Sequence, residues 1–248
     1  VLGGALTAGI WCNLGSSLTV EIAGLSGFDW ILIDLEHGAG DYESLRYQLQ
    51  AAAGTPSVPI VRIAWNDPPR FKRVLDLGAS GVMVPYVNNA LEATQAAASV
   101  RYPPQGIRGV AKSVRATGFG QNFDEYFAKA NENLLTVVQI ETEEAVANAE
   151  DIASVPGVDV LFVGPLDLSV SLGIPQQIHQ PRFREALGKV VEACRKQGKA
   201  PGILVWDPQK MGEMIEAGFT FLGIGSDLGM LTTGMKRAMD LFETFRKT

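Results

Sequence analysis

The sequence predicts an α/β chain folded as a (β/α)8 TIM barrel, on three observations. Eight short apolar runs alternate with longer amphipathic stretches, the pattern of parallel β/α units. The length of 248 residues suits one such barrel. No G-x-G-x-x-G turn follows the first run, so the usual mark of the doubly wound open sheet is missing.

The candidate strands are Thr7–Cys12, Trp30–Asp34, Ile60–Ile63, Gly81–Val84, Leu135–Ile140, Val160–Val163, Ala200–Leu204 and Phe221–Ile224. All are brief and rich in β-branched residues and leucine, as strands buried on both faces require. Between them, Tyr42–Ala53 carries Leu45, Leu49 and Ala52 at helical spacing. Pro68–Leu77 has proline near its start, where a missing N–H costs little. Thr142–Ser154 opens with Glu143 and Glu144, which favour a helix N-terminus. Pro181–Gln197 is the longest, and Gly198 follows it as a C-cap. The segment Arg101-Tyr-Pro-Pro-Gln-Gly-Ile-Arg-Gly, placed after the fourth strand, reads as a long shaped loop.

The hydrophobic fraction of 46% provides for a sizeable core, with no linker inside the chain. One domain over residues 1–248 is expected. A net charge of -6 disfavours a nucleic-acid partner. No apolar run approaches the roughly 20 residues of a membrane span. The opening VLGGALTAGIW has no basic or continuous apolar region, so no signal peptide is expected there. The absent initial Met suggests a chain that begins inside a longer gene product. Cys12 and Cys194 read as reduced thiols of a cytoplasmic protein.

Reactive groups of such a barrel sit past the C-terminal ends of its strands. Those positions hold Asp34-Leu-Glu-His-Gly, Arg62, Gln139-Ile-Glu141-Thr, Gly164-Pro-Leu-Asp167-Leu-Ser and Gly225-Ser-Asp-Leu-Gly. Charge gathers there although only 19% of residues are charged. Glu141 and Asp167 could each cap a helix. As neighbours they would repel each other without a cation, and two hard oxygen ligands suit Mg2+ or Mn2+. Arg62, inside an apolar strand, is either a buried ion pair or a donor to a developing oxyanion. His37 follows two acidic residues, so an aspartate could orient it as a base; alternatively it is ordinary surface. The backbone N–H groups after Gly164 suit a carboxylate. Trp11 either walls a pocket or belongs to the core. His179 reads as a loop or capping residue.

Several long motifs together resemble the HpcH/HpaI aldolase family. They are Gly27-Phe-Asp-Trp-Ile-Leu-Ile-Asp-Leu-Glu-His, Lys72-Arg-Val-Leu-Asp-Leu-Gly-Ala, the Arg101–Gly109 loop, Gln139-Ile-Glu-Thr and Phe162-Val-Gly-Pro-Leu-Asp-Leu-Ser. The resemblance implies a pyruvate-binding barrel, a hexamer (a trimer of dimers) and a last helix exchanged between neighbours. It implies a divalent metal, Mg2+ or Mn2+ with Co2+ or Zn2+ as alternatives, held by Glu141 and Asp167. It makes Arg62 the enolate stabiliser and His37 the base, with Asp76 raising that basicity across an interface; Asp34 is a rival for the role. Gln139 and the backbone at Leu166 and Asp167 match substrate contacts.

Where the family often has Gly-Pro-Ala-Asp, this chain has Leu166, and Trp206 and Asp207 also depart from it. These changes bear on the aldehyde. The expected reaction is reversible cleavage of a 4-hydroxy-2-oxo acid to an aldehyde and pyruvate, or a close analogue such as hydroxypyruvate. No lysine lies at a candidate strand end to form a Schiff base, which favours metal-dependent chemistry. The alternatives are a malyl-CoA or citramalyl-CoA type lyase and a non-catalytic 2-oxo-acid-binding barrel.

Overall fold

The computed structural model describes residues 3–246. The four terminal residues that the one-domain expectation also takes in lie outside the described residues. The chain runs β1 (Thr7–Cys12), α1 (Ser17–Leu25), β2 (Trp30–Asp34), α2 (Tyr42–Ala52), β3 (Val58–Arg62), α3 (Pro68–Asp76), β4 (Gly81–Val84) and α4 (Ala90–Val100). It continues through α5 (Phe123–Asn133), β5 (Leu135–Ile140), α6 (Glu143–Ala147), α7 (Ala149–Ser154), β6 (Val160–Val163) and α8 (Pro165–Ser171). It closes with α9 (Pro181–Gln197), β7 (Ala200–Val205), α10 (Met211–Glu216), β8 (Phe221–Ser226) and α11 (Asp227–Arg246). Each strand pairs in parallel with the next, and β8 returns to β1, so the sheet is a closed barrel.

Alternate strand residues face inward or outward, which produces two cores. Inside the barrel, Trp11, Trp30, Met83, Phe162 and Phe221 pack with smaller aliphatic residues. The Trp30 and Phe221 rings stack at 4.3 Å. Such large rings fit because glycines lie beside them: a side chain at Gly9 would overlap Trp30, and one at Gly223 would come within 2.6 Å of Trp11. The larger outer core joins strands to helices through residues such as Ile31, Val61, Phe71, Val138 and Leu161. Burying these aliphatic faces is the main stabilising term.

The eight strands lie where the sequence expects them, with small shifts at four ends. The expected helix over Thr142–Ser154 is instead two, α6 and α7, broken at Asn148. The Asn148 side chain donates to the Asn88 carbonyl at 2.8 Å, and this side-chain pairing competes with a straight helix. The Arg101–Gly109 loop follows α4 and not β4 directly. It therefore leaves from the N-terminal end of the barrel, opposite the strand ends read as reactive. Both cysteines are buried and unpaired, and burial pushes the Cys194 thiol up to about 12.

The last helix departs from the usual barrel. Only Asp227 of α11 is buried. Leu231, Met235, Leu241 and Phe242 are exposed along it, and Leu18, Ile22 and Leu25 of α1 are exposed as well. Among the described residues no helix is long and apolar enough to cross a membrane.

Candidate active site

At the C-terminal ends of the strands lies a cavity of about 280 Å³, whose lining includes Trp11, His37, Arg62, Gln139, Glu141 and Asp167. Register explains the assembly. Asp34 and Arg62 are paired positions at the ends of β2 and β3, and Gln139 lies opposite Phe162 where β5 meets β6.

Arg62 is held from two sides. Asp34 accepts from its Nε at 2.9 Å and its Nη2 at 2.6 Å. Glu36 lies 2.9 Å from Nη1. Burial works against the guanidinium charge, and the Asp34 hydrogen bonds and charge, with the charges of Glu36 and Glu141, more than offset it. Gln139 accepts from Nη1 at 3.4 Å and donates through Nε2 to Glu141 Oε1 at 2.6 Å. One hydrogen-bonded chain thus runs from Asp34 to Glu141.

Glu141 is buried, and its carboxyl is pushed up to about 7 by burial, then by Asp167 and Glu36. Its Oε2 accepts from the Tyr86 backbone N–H at 3.2 Å. Tyr86 has a φ of 52°, unusual for a residue with a side chain. That strained conformation belongs to the loop that aims its N–H at the carboxylate. Gly164 is also fitted to Glu141, because a Cβ there would lie 2.5 Å from Oε1. Asp167 sits in the first turn of α8, and Leu166 beside it is exposed at the cavity.

The His37 side chain is 72% exposed, with Nε2 3.8 Å from Glu36 Oε1. Its backbone N–H donates to Asp34 Oδ1 at 3.3 Å. Asp34 therefore fixes the His37 backbone while its oxygens serve Arg62 and the Asn13 side chain. It forms no hydrogen bond to the imidazole. Asp76 ends α3 and accepts from Arg108 Nη2 at 2.9 Å. Because α3 runs back from the reactive end of the barrel, Asp76 lies at the far end from His37 of its own chain.

Trp11 satisfies both of its readings. It is 3% exposed within the inner core, and its ring also lines the cavity. Glu36, Asn13 and Tyr86 received no role from the sequence. Glu36 stands in the Asp-Leu-Glu-His run, so its type and place are visible in the sequence. Asn13 and Tyr86 carried no signal, since their contacts depend on loop geometry.

The donor set fits a hard divalent cation. Burial first and the charge of Asp167 second raise the Glu141 carboxyl, and a bound cation would relieve both. Among the described residues, no group of three or more His, Cys, Asp or Glu side chains is arranged to hold a metal ion. The chain itself offers a carboxylate pair, which leaves positions for water and substrate oxygens.

The barrel fold, the family and the relatives together place the molecule among the (β/α)8-barrel carbon–carbon lyases. The chain belongs to the HpcH/HpaI aldolase/citrate lyase family, whose model matches residues 7–233. It is 41% identical over 235 residues to the 5-keto-4-deoxy-D-glucarate aldolase of Klebsiella pneumoniae, covering 95% of this chain and 91% of that one. It is 41% identical over 223 residues to a 4-hydroxy-2-oxo-heptane-1,7-dioate aldolase of Escherichia coli, covering 90% and 85%. Among solved structures, an HpcH/HpaI aldolase/citrate lyase family protein of Burkholderia cenocepacia superposes with a TM-score of 0.93. That pair shares 36% identity over 97% of this chain and 95% of the other.

Proposed function

We propose that the protein is a metal-dependent aldolase that cleaves a 4-hydroxy-2-oxo acid to an aldehyde and pyruvate, and runs the reverse addition. The observation that carries this reading is one cavity in which the Glu141–Asp167 carboxylate pair faces the clamped Arg62 guanidinium. A divalent ion held by Glu141 and Asp167 would supply Lewis acidity toward the 2-oxo-acid oxygens.

The chain's own residues account for the rest. The first-turn N–H groups of Leu166 and Asp167 lack intrahelical partners and suit the substrate carboxylate. Gln139 fixes the positions of Arg62 and Glu141. His37 takes the proton of the 4-hydroxyl group. The C3–C4 bond then breaks, its electron pair becomes the C2–C3 double bond of pyruvate enolate, and the aldehyde leaves. Arg62 stabilises the charge on the enolate oxygen. Protonation at C3 yields pyruvate.

A second copy of the chain completes the assembly in this reading. The exposed apolar side chains of α1 and α11 need cover, and exchange of α11 within a hexamer supplies it. Asp76 reaches a His37 only from another copy. The unpaired thiols suit the cytoplasm.

The test is exchange of the pyruvate methyl protons in deuterated water, followed by NMR, with pyruvate release from a 4-hydroxy-2-oxo acid measured alongside. Both should require Mg2+ or Mn2+ after chelation. Full activity in the chelated protein would sink the metal, and absence of exchange would sink the enolate.

A further inference from the structure

A second cavity, of about 430 Å³, adjoins the first between the β7 end, α9 and α10. The two share Pro165, Leu166, Leu204 and Trp206 as lining. They differ in character. The first is ringed by the groups that bind and polarise a 2-oxo acid. Apolar side chains make up much of the second, including Ile178, Phe183, Ile203, Val205 and Met214.

Two of its charged residues pair with each other. Lys210 Nζ lies 2.6 Å from Glu213 Oε1, and Arg184 and His179 act on the same carboxylate. Asp207 accepts from the Gln209 backbone N–H at 3.0 Å. Trp206 and Leu166, each more than half exposed, form an apolar threshold between the two spaces.

We propose that this cavity is the aldehyde-chain subsite, and that the protein acts on 4-hydroxy-2-oxo acids whose C4 carries an apolar alkyl or aryl group. The inference rests on the aldolase reading above and assigns the part of the substrate that reading leaves open. A chain attached at the carbonyl carbon leaves the reacting end across Leu166 and Trp206 and buries its methylenes against the second cavity. A polyhydroxylated chain would set hydroxyls against the apolar walls of Ile178, Phe183, Ile203, Val205 and Met214, where they gain no partner. An added carboxylate would compete with Glu213 for Lys210 and lie near the charge of Asp207.

The experiment couples pyruvate with acetaldehyde, butanal, hexanal and glyceraldehyde, measuring kcat/KM for each. Each buried methylene should raise kcat/KM about fourfold, and glyceraldehyde should fall below butanal. Ile178→Trp and Met214→Trp, on walls that belong to the second cavity alone, should flatten the chain-length series.

Methyl-proton exchange by pyruvate is measured in the same preparations. Exchange with a flat or falling series overturns the subsite, as expected if a second copy of the chain fills the cavity. A slope unchanged in both tryptophan variants overturns it as well. Loss of exchange in the unmodified protein instead overturns the aldolase reading beneath it.

Discussion

Asp34 grips Arg62 with both carboxylate oxygens, at 2.9 Å to Nε and 2.6 Å to Nη2, where β2 and β3 end side by side. The fork fixes the plane of the guanidinium and leaves Nη1 toward Gln139 and Glu36. An arginine held in this way keeps its orientation while charge develops on a substrate oxygen. In the proposed reaction, Asp34 would thus serve the enolate half of the site through Arg62.

Asp34→Asn should therefore act on stability and catalysis together. It leaves a buried guanidinium with Glu36 as its remaining carboxylate, at a cost of about 3 kcal/mol. Thermal unfolding should shift down accordingly, and methyl exchange should fall with it. An unchanged Tm alongside unchanged exchange would show that the fork matters to neither.

The raised Glu141 makes a statement about pH. Its carboxyl is pushed up to about 7 in the folded chain, from an ordinary value of 4.5. Between those values the folded state binds the proton that the unfolded state has released. Stability of the metal-free protein should thus fall as pH rises from about 4.5 to 7, by an amount on the order of 3 kcal/mol. Saturating Mg2+ or Mn2+ should remove this slope. Metal affinity should weaken below pH 7, because proton and metal compete for one carboxylate. Denaturant melts across this range, with and without metal, check both signs.

Gly164→Ala places a methyl group 2.5 Å from Glu141 Oε1. The carboxylate must move, so metal affinity should drop by about tenfold or more while the barrel stays folded. Calorimetric titration with Mn2+ beside a far-UV spectrum makes the measurement. Unchanged affinity would mean that Glu141 is not a ligand.

His37→Ala removes an exposed side chain and should not disturb folding. Cleavage should slow by about 100-fold or more, with metal binding preserved. Retained turnover would refute its role as base.

The alternation of apolar runs and helices determined the barrel, because strands buried on both faces must be apolar and short. Barrel chemistry at strand ends then brought Arg62, Gln139, Glu141 and Asp167 into view without coordinates. Five similar motifs in order indicated the family. Tertiary structure decided what spacing cannot encode. Asn148 broke one expected helix by reaching Asn88, a residue of another segment. Glu36 joined Arg62, and the Tyr86 N–H met Glu141, through loops whose paths depend on the closed barrel.

The direction of α3 decided that Asp76 lies at the far end from its own His37. The sequence alone marked Leu166 and Trp206 as departures without saying what they do. The packed molecule gives them a place, because the gap between α9, α10 and β7 exists only once helices that are distant in sequence lie against one sheet.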